Sequence, residues 1–253
     1  MPESVVLLHG FSATRRAWDG VAAQLDPERY RPLALDLPGH GQAADCERPI
    51  TFPGCVAAVL ARAPARFALC GYSLGGRVAL HLALAAPERV RRLVLVSSTA
   101  GIEDPAERAR RRADDLRLAD QLEVEPFERF IERWRSQPLF AAEPPDVAEL
   151  ARADQRRNRP DALAAVLRGI GTGEMQPLWS RLAELAMPVT VLVGERDRKF
   201  AALGERMVEL LPAGELATAP GGHGLPVENP RALAAAISGS LSAEHRIARP
   251  RRR

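Results

Sequence analysis

The sequence predicts an α/β fold: a mostly parallel central sheet with helices on both faces, and a helical segment inserted between two of its strands. Three observations predict it. Short runs that are apolar on both faces recur between helical patterns, as in parallel strands covered on both sides. The turn Gly71-Tyr72-Ser73-Leu74-Gly75-Gly76 stands between one such run and a helical pattern. Residues 101–186 carry helical patterns and no convincing strand.

In chain order, the spacing predicts strands over 5–8, 33–36, 67–70, 93–97, 189–193 and 215–218. Helices fall between them, over 18–25, 53–62, 74–86, 200–211 and 231–242. Asn229-Pro230 opens the last helix, because Asn can cap free N–H groups and Pro suits the first helical position. Within the insertion, helices are predicted over 105–121, 126–135, 146–152, 161–168 and 176–185. That stretch is too long and too regularly patterned for a plain loop. The expected organisation is a core of residues 1–100 and 187–243, a helical lid over 101–186, and a basic tail over 244–253 expected to be disordered.

Composition fits this reading. With 253 residues, 46% of them apolar, the chain can bury the core of one large domain, and 26% charged residues cover its surface. These values exclude the disordered class. No run approaches the roughly 18–20 apolar residues that cross a bilayer. No basic segment or cleavage site precedes residues 5–8, so no signal peptide is read and a cytoplasmic location is expected. Three cysteines at irregular spacing, Cys46, Cys55 and Cys70, give neither a disulfide framework nor a zinc site. Cys70 ends an apolar run and is expected to be buried and inert. Residues 246–253 hold five arginines and no acid, so the rest of the chain carries a net −2 against +3 for the whole. No nucleic-acid motif accompanies that tail.

The glycine turn carries the chemistry. It matches the G-x-S-x-G pattern in the strand–turn–helix setting of a nucleophile elbow, the mark of an α/β-hydrolase fold. Ser73 would sit in a strained turn above the sheet edge, and a Cβ at 71 or 75 would strike neighbouring backbone. The helix N-terminus behind Ser73 favours developing negative charge. A serine nucleophile or base needs a histidine to take its proton and an acid to orient that histidine. In this fold they follow as Ser, Asp or Glu, His. Asp197 comes just after the strand at 189–193, with Glu195 as the competing acid. His223 comes just after the strand at 215–218, between glycines. His9, His40, His81 and His245 have weaker claims by position. The oxyanion hole needs two backbone N–H groups, assigned to Leu74 after the nucleophile and to Phe11 after the first strand.

These residues resemble one family. His9-Gly10-Phe11, Asp36-Leu37-Pro38-Gly39-His40-Gly41, the elbow through Arg77, the loop Gly194-Glu195-Arg196-Asp197-Arg198-Lys199-Phe200 and Glu228-Asn229-Pro230 are similar to 2-succinyl-6-hydroxy-2,4-cyclohexadiene-1-carboxylate synthases. So, within the lid, are Trp134 with Gln137-Pro138-Leu139-Phe140, Asn158, and Gly171-Thr172-Gly173 with Gln176-Pro177-Leu178-Trp179. The lid stretches discriminate, since lids diverge between families. The resemblance implies a lyase of menaquinone biosynthesis. The triad takes a ring proton, the oxyanion hole holds the enolate, and pyruvate leaves.

The substrate so implied is a small anionic molecule with three carboxylates. The resemblance places Arg77 against them, and among the lid arginines Arg157 ahead of Arg156. Tyr72 and Trp179 match positions near the pocket. The arginines at 108–112 are expected at the surface. Where the family often carries a second histidine, three residues after the first, this chain has Pro226. The alternatives are a serine hydrolase acting on an ester, thioester or vinylogous carbon–carbon bond, and a non-catalytic binding protein, which would be expected to lack a triad member. Neither a cofactor nor a metal is expected, and neither a nucleic acid nor a membrane is an expected partner. Nothing in the sequence signals an oligomeric state.

Overall fold

A computed structural model describes residues 1–242. The basic tail expected at 244–253, with His245, lies outside the described residues. Six strands form one sheet: β1 (Glu3–Leu8), β2 (Tyr30–Leu35), β3 (Phe67–Tyr72), β4 (Val90–Val96), β5 (Val189–Gly194) and β6 (Gly214–Ala219). All pair in parallel, in the order β2-β1-β3-β4-β5-β6. Alternation along β1 serves both faces. Val6 and Leu8 join one apolar cluster, Val5 and Leu7 the other.

Helices cover the two faces. α1 (Asp19–Ala22) and α10 (Pro230–Ser242) lie on one side, whereas α2 (Phe52–Leu60), α3 (Leu74–Ala85) and α8 (Arg198–Leu210) supply the other. The helix expected over 18–25 is instead a 3-10 turn, Arg15–Trp18, followed by the single turn of α1. Gly20 inside it weakens helix propagation. The cap expected at the last helix is present, with Asn229 Oδ1 accepting from the Ala232 N–H at 3.1 Å.

Between β4 and β5 lie α4 (Pro105–Val124), α5 (Phe127–Arg135), α6 (Pro145–Gln155) and α7 (Pro160–Ile170). Asp104 caps α4 by accepting the Glu107 N–H, and Pro105 takes its first position. Phe127, Phe130, Ile131 and Trp134 of α5 recur at one-face helical spacing. Phe130 and Ile131 are buried with Leu122 of α4 and Leu163 of α7, so the inserted helices own a small core. The helix expected over 176–185 is only a 3-10 turn, Trp179–Glu184. Pro177 turns Gln176 away from helical geometry, and the Leu178 N–H is taken by Ala100 O at 2.7 Å. After α8, a one-turn helix α9 (Leu225–Glu228) precedes α10; the sequence pattern gives no sign of it.

Strand register brings four connections together in two pairs. Leu8 pairs with Gly71, so the loop leaving β1 stands beside the turn leaving β3. Gly194 pairs with Ala219, so the loops leaving β5 and β6 are neighbours as well. The elbow needs its glycines: a Cβ on Gly71 would lie 2.4 Å from Gly75 O, and one on Gly75 would lie 2.2 Å from Leu8 O. Gly239, exposed on α10, has nothing within 4 Å of its added Cβ. Gly75→Ala should therefore lower stability by about 1–3 kcal/mol or prevent folding, as overpacking against backbone does. Gly239→Ala should raise it by about 0.5–1 kcal/mol. Denaturant midpoints of the two variants check the contrast, and equal shifts would contradict the crowding argument.

Candidate active site

Ser73 is the hinge of the site. Its backbone sits at φ 51° and ψ −109°, a conformation that L-residues rarely adopt. Hydrogen bonds hold it there. The Ser73 N–H donates to Val96 O at 2.9 Å, and its carbonyl accepts from Ser98 Oγ at 2.9 Å and from the Arg77 N–H at 3.2 Å.

The loops after β5 and β6 bring their side chains to it. His223 Nδ1–H donates to Asp197 Oδ2 at 2.8 Å, and Ser73 Oγ–H donates to His223 Nε2 at 3.3 Å. The second contact is at the loose end of hydrogen bonding, as free active sites commonly are. Of the two competing acids, Asp197 reaches the imidazole; Glu195 is exposed. The Glu195 and Arg196 N–H groups donate to Ala219 O and Gly221 O, at 3.0 and 2.9 Å, locking the two loops together. Glu228 adds a further tie, accepting from the Gly222 N–H at 2.7 Å and pairing with Arg196. Aromatic rings close around His223, with centroids at 4.6 Å for Phe200, 5.4 Å for Tyr72 and 5.9 Å for Phe140.

The loop after β1 presses on the elbow. A Cβ on Gly10 would come within 2.7 Å of the Tyr72 ring. The Ala13 N–H donates to Gly10 O, closing a turn that contains Phe11. Among the described residues the Phe11 N–H has no hydrogen-bond partner. Leu74 opens α3, where N–H groups have no partner inside the helix.

Over these groups opens a cavity of about 1130 Å³, shared between the core and the inserted helices. Its walls include Tyr72, Arg77, Arg111, Trp134, Trp179 and Lys199. Arg77 is buried, and one guanidinium N–H donates to Ile170 O at 2.8 Å. Burial first, and nearby Arg111 second, push its guanidinium down to about 9, with Asp115 opposing. The group remains charged at neutral pH and makes no ion pair among the described residues. Asp115 is committed elsewhere, accepting from Arg111 Nε at 2.8 Å and from the Gly173 N–H at 3.0 Å. Arg77 and Arg111 thus both line the cavity, and Asp115 is committed to Arg111 and not to Arg77.

A family model described as the alpha/beta hydrolase family matches residues 5–236. The chain belongs to this family. It is 34% identical over 241 residues to the 2-succinyl-6-hydroxy-2,4-cyclohexadiene-1-carboxylate synthase of Enterobacter sp. (strain 638), covering 92% of this chain and 90% of the relative. To the protein of the same name from Klebsiella pneumoniae it is 32% identical, covering 94% and 93%. Among solved structures, MenH from S. aureus superposes with a TM-score of 0.88 at 30% identity, covering 94% of this chain and 93% of that one. A hydrolase from Pseudomonas aeruginosa PA01 gives a TM-score of 0.79 at 27% identity, covering 96% and 91%. The resemblance read from the sequence motifs is thereby borne out.

Within this hydrolase-family frame, Ser73, Asp197 and His223 meet, and Phe11, Leu74, Tyr72, Arg77 and Trp179 surround them. Trp179 is partly spent on structure, its Nε1–H donating to Gly101 O at 2.8 Å. Arg157 is a correction. Its side chain is 49% exposed, 3.8 Å from Asp154, and absent from the cavity wall. The end of α6 and the turn after it bury Asp154, Gln155 and Asn158, so Arg156 and Arg157 between them turn out. Arg111 is the reverse case: expected at the surface, it lines the cavity. A buried acid four residues later, Asp115, fixes its side, and that i,i+4 pair was a readable signal. Pro226 is buried in the first turn of α9, where its missing N–H costs nothing. Cys70 is buried, with its thiol pushed up by burial, as its apolar surroundings imply. Among the described residues no cluster of His, Cys, Asp or Glu is placed to hold a metal, and no helix is long and apolar enough to cross a membrane.

His9 and His40 underpin the loop after β1 as neutral rings. His9 Nδ1–H donates to Gly10 O at 2.8 Å, while its Nε2 accepts from the Leu37 N–H at 3.1 Å. Burial pushes both imidazoles below the ordinary 6.5, His40 the further, with His9 adding to the effect on His40. The folded state then binds fewer protons than the unfolded chain once pH falls below about 6.5. Stability present above that value should fall by up to about 1.4 kcal/mol per pH unit for each ring. Denaturant midpoints between pH 7.5 and 5 should show a shallower slope in His40→Gln than in the parent. Identical slopes would remove His40 as a source.

Proposed function

We propose that the protein is a lyase of the menaquinone-pathway type, eliminating pyruvate from a cyclohexene tricarboxylate with Ser73, His223 and Asp197 as its proton-transfer machinery. The observation that carries this reading is Arg77. It is a buried cation without a carboxylate partner, four residues from Ser73 and on the wall of the same cavity. Burying an unpaired charge is costly, and an anionic substrate is the partner that relieves it. Arg111 offers a second fork to the same substrate, and a planar guanidinium binds carboxylate bidentately. Tyr72 and Trp179 wall the pocket, with the inserted helices as its lid.

In this mechanism His223 takes the Ser73 proton as Ser73 Oγ takes the ring proton next to a carbonyl. The electron pair moves onto the carbonyl oxygen, held by the N–H groups of Phe11 and Leu74. It returns as a ring double bond when the carbon–oxygen bond to the enolpyruvyl group breaks. The leaving enolate recovers the proton from His223 and becomes pyruvate. Asp197 orients the imidazole and offsets its transient charge. No acyl group is formed and no water is consumed.

A serine hydrolase acting on an ester, thioester or vinylogous carbon–carbon bond is the second reading. Ser73 has the same geometry for it, and the Pseudomonas hydrolase has a similar fold. Its reaction would pass through an acylated Ser73. Purified protein offered the menaquinone-pathway intermediate should release pyruvate without an acyl-Ser73 peptide in rapid-quench mass spectrometry. Such a peptide on the productive path would promote the hydrolase.

Ser73→Ala should cost at least about 10³-fold in turnover, and adding His223→Ala or Asp197→Asn should cost little more, because the three act as one unit. Multiplicative losses in the double variants would dissolve the triad. Arg77→Ala should cost about 2–5 kcal/mol in kcat/KM on the tricarboxylate and far less on a neutral aryl ester. Equal losses on both substrates would make Arg77 structural.

A further inference from the structure

The turn that carries Phe11 is held from two sides. From the core, Asp36 Oδ1 accepts the Arg15 N–H at 2.6 Å, and His9 fixes the loop's first residue. From the insertion, three inward groups at and just beyond the end of α6 reach the same loop. Asp154 accepts the Thr14 N–H at 2.7 Å and also the Thr14 hydroxyl. Gln155 Nε2 donates to Ser12 Oγ at 2.8 Å. Asn158 Nδ2 donates to Ser12 O at 2.7 Å, while its Oδ1 accepts the Gly41 N–H at 2.9 Å. Donors and acceptors are more than a hundred residues apart in sequence, and Ser12, Thr14, Asp154, Gln155 and Asn158 are all buried.

The loop needs such a hold. Ser12 lies at φ 61°, in the left-handed region that a serine adopts only when its surroundings impose it. The bonds fall on the residues around Phe11 and leave the Phe11 N–H itself unspent among the described residues. Simple attachment of the insertion does not require this arrangement. Exposed ion pairs already join other parts of it to the core, such as Arg48 with Asp161 and Arg206 with Glu103. A buried carboxylate and two buried amides at one turn fix geometry.

We infer that Asp154, Gln155 and Asn158 are positioning residues, which set the Phe11 N–H of the oxyanion hole from the helical insertion. The inference rests on the proposed role of Ser73 and Phe11. The insertion on this view completes the catalytic core as well as covering it. A donor displaced by a fraction of an ångström stabilises developing charge poorly while leaving substrate carboxylates bound as before.

The test uses the full-length protein, pyruvate release from the tricarboxylate substrate, and phenylboronic acid as a probe. Its serine adduct places a boron-bound oxygen in the oxyanion hole. Ser73→Ala should abolish boronate binding; retained binding would overturn the site reading itself, and the inference with it. Given Ser73-dependent binding, Gln155→Ala and Thr14→Val should each lower kcat about tenfold, with KM within twofold. Boronate affinity should weaken in parallel. Thr14→Ser, which restores the hydroxyl, should recover most of both, and this pair keeps the test decisive if Asn158 or Asp154 variants fail to fold. Variants that lose thermal stability but keep parent kcat and boronate affinity would overturn the inference and leave the triad reading intact.

Discussion

Two carbon atoms that are missing decide the layout of this protein. Without side chains at 71 and 75, the start of α3 descends onto the carbonyl of Leu8, and the chain reverses between β3 and α3 within a single residue. That reversal forces Ser73 into its unusual backbone conformation and lifts its hydroxyl clear of the sheet. The same approach puts the loop after β1 against the elbow, and Gly10 in turn is needed because the Tyr72 ring occupies the space of its Cβ. These close contacts leave backbone N–H groups bare beside the Ser73 hydroxyl, at Phe11 and at the start of α3. The chemistry is a consequence of the packing, and the packing is a consequence of glycine.

The charges follow a similar logic of exclusion. Asp197 and His223 are buried in a nest of aromatic rings, where a hydrogen-bonded carboxylate and imidazole orient one another with little competition from water. Arg77 is buried too, but its hydrogen bond goes to a neutral carbonyl, Ile170 O, and the nearest acid is occupied by Arg111 and Gly173. The guanidinium is held in place before any ligand arrives, so ordering it costs nothing on binding. Electrostatic need and geometric readiness coincide at one wall of the cavity.

Much of this was legible in the residues, for reasons that differ by element. The inner strands could be read because strands buried on both faces are largely apolar, and Ser73, Asp197 and His223 could be singled out because they stand at fixed stations after three strands. The failures lie where tertiary contacts override local pattern. Arg157 sits in the turn that follows α6, and Arg111 on α4, an arginine-rich helix with weak amphipathic contrast. Which of them faces inward is decided by a few polar contacts, at Asp154 and Asp115 respectively. The segment over 176–185 has helical composition, but Pro177 and the carbonyl of Ala100 divert it. The one-turn helix α9 is too short to leave a periodic signature. Loop and insertion geometry also escapes sequence reading, since Ser12 and Thr14 meet partners more than a hundred residues away.

Such long-range polar contacts bear on how an enzyme family changes substrate while keeping its core. The hydrogen bonds that fix Ser73, His223 and Asp197 come from the core, from Val96 O, Ser98 Oγ, Ala219 O and Gly221 O, while the insertion adds the Phe140 ring against His223. The inserted helices contribute one wall of the cavity, the site of Arg111, and the bonds to Ser12 and Thr14. Exchanging the insertion for another would thus preserve the hydrogen bonds among Ser73, His223 and Asp197 while altering the charge of the pocket. It would also remove the partners of a strained turn beside the nucleophile. An insertion compatible with activity must therefore satisfy two independent demands. It must match the substrate's charge, and it must offer buried polar groups at the place where the loop after β1 turns at Ser12. The first demand leaves wide freedom. The second ties the end of α6 to a few ångströms of backbone, and it makes the junction of α6 with that loop a more constrained surface than the pocket wall itself.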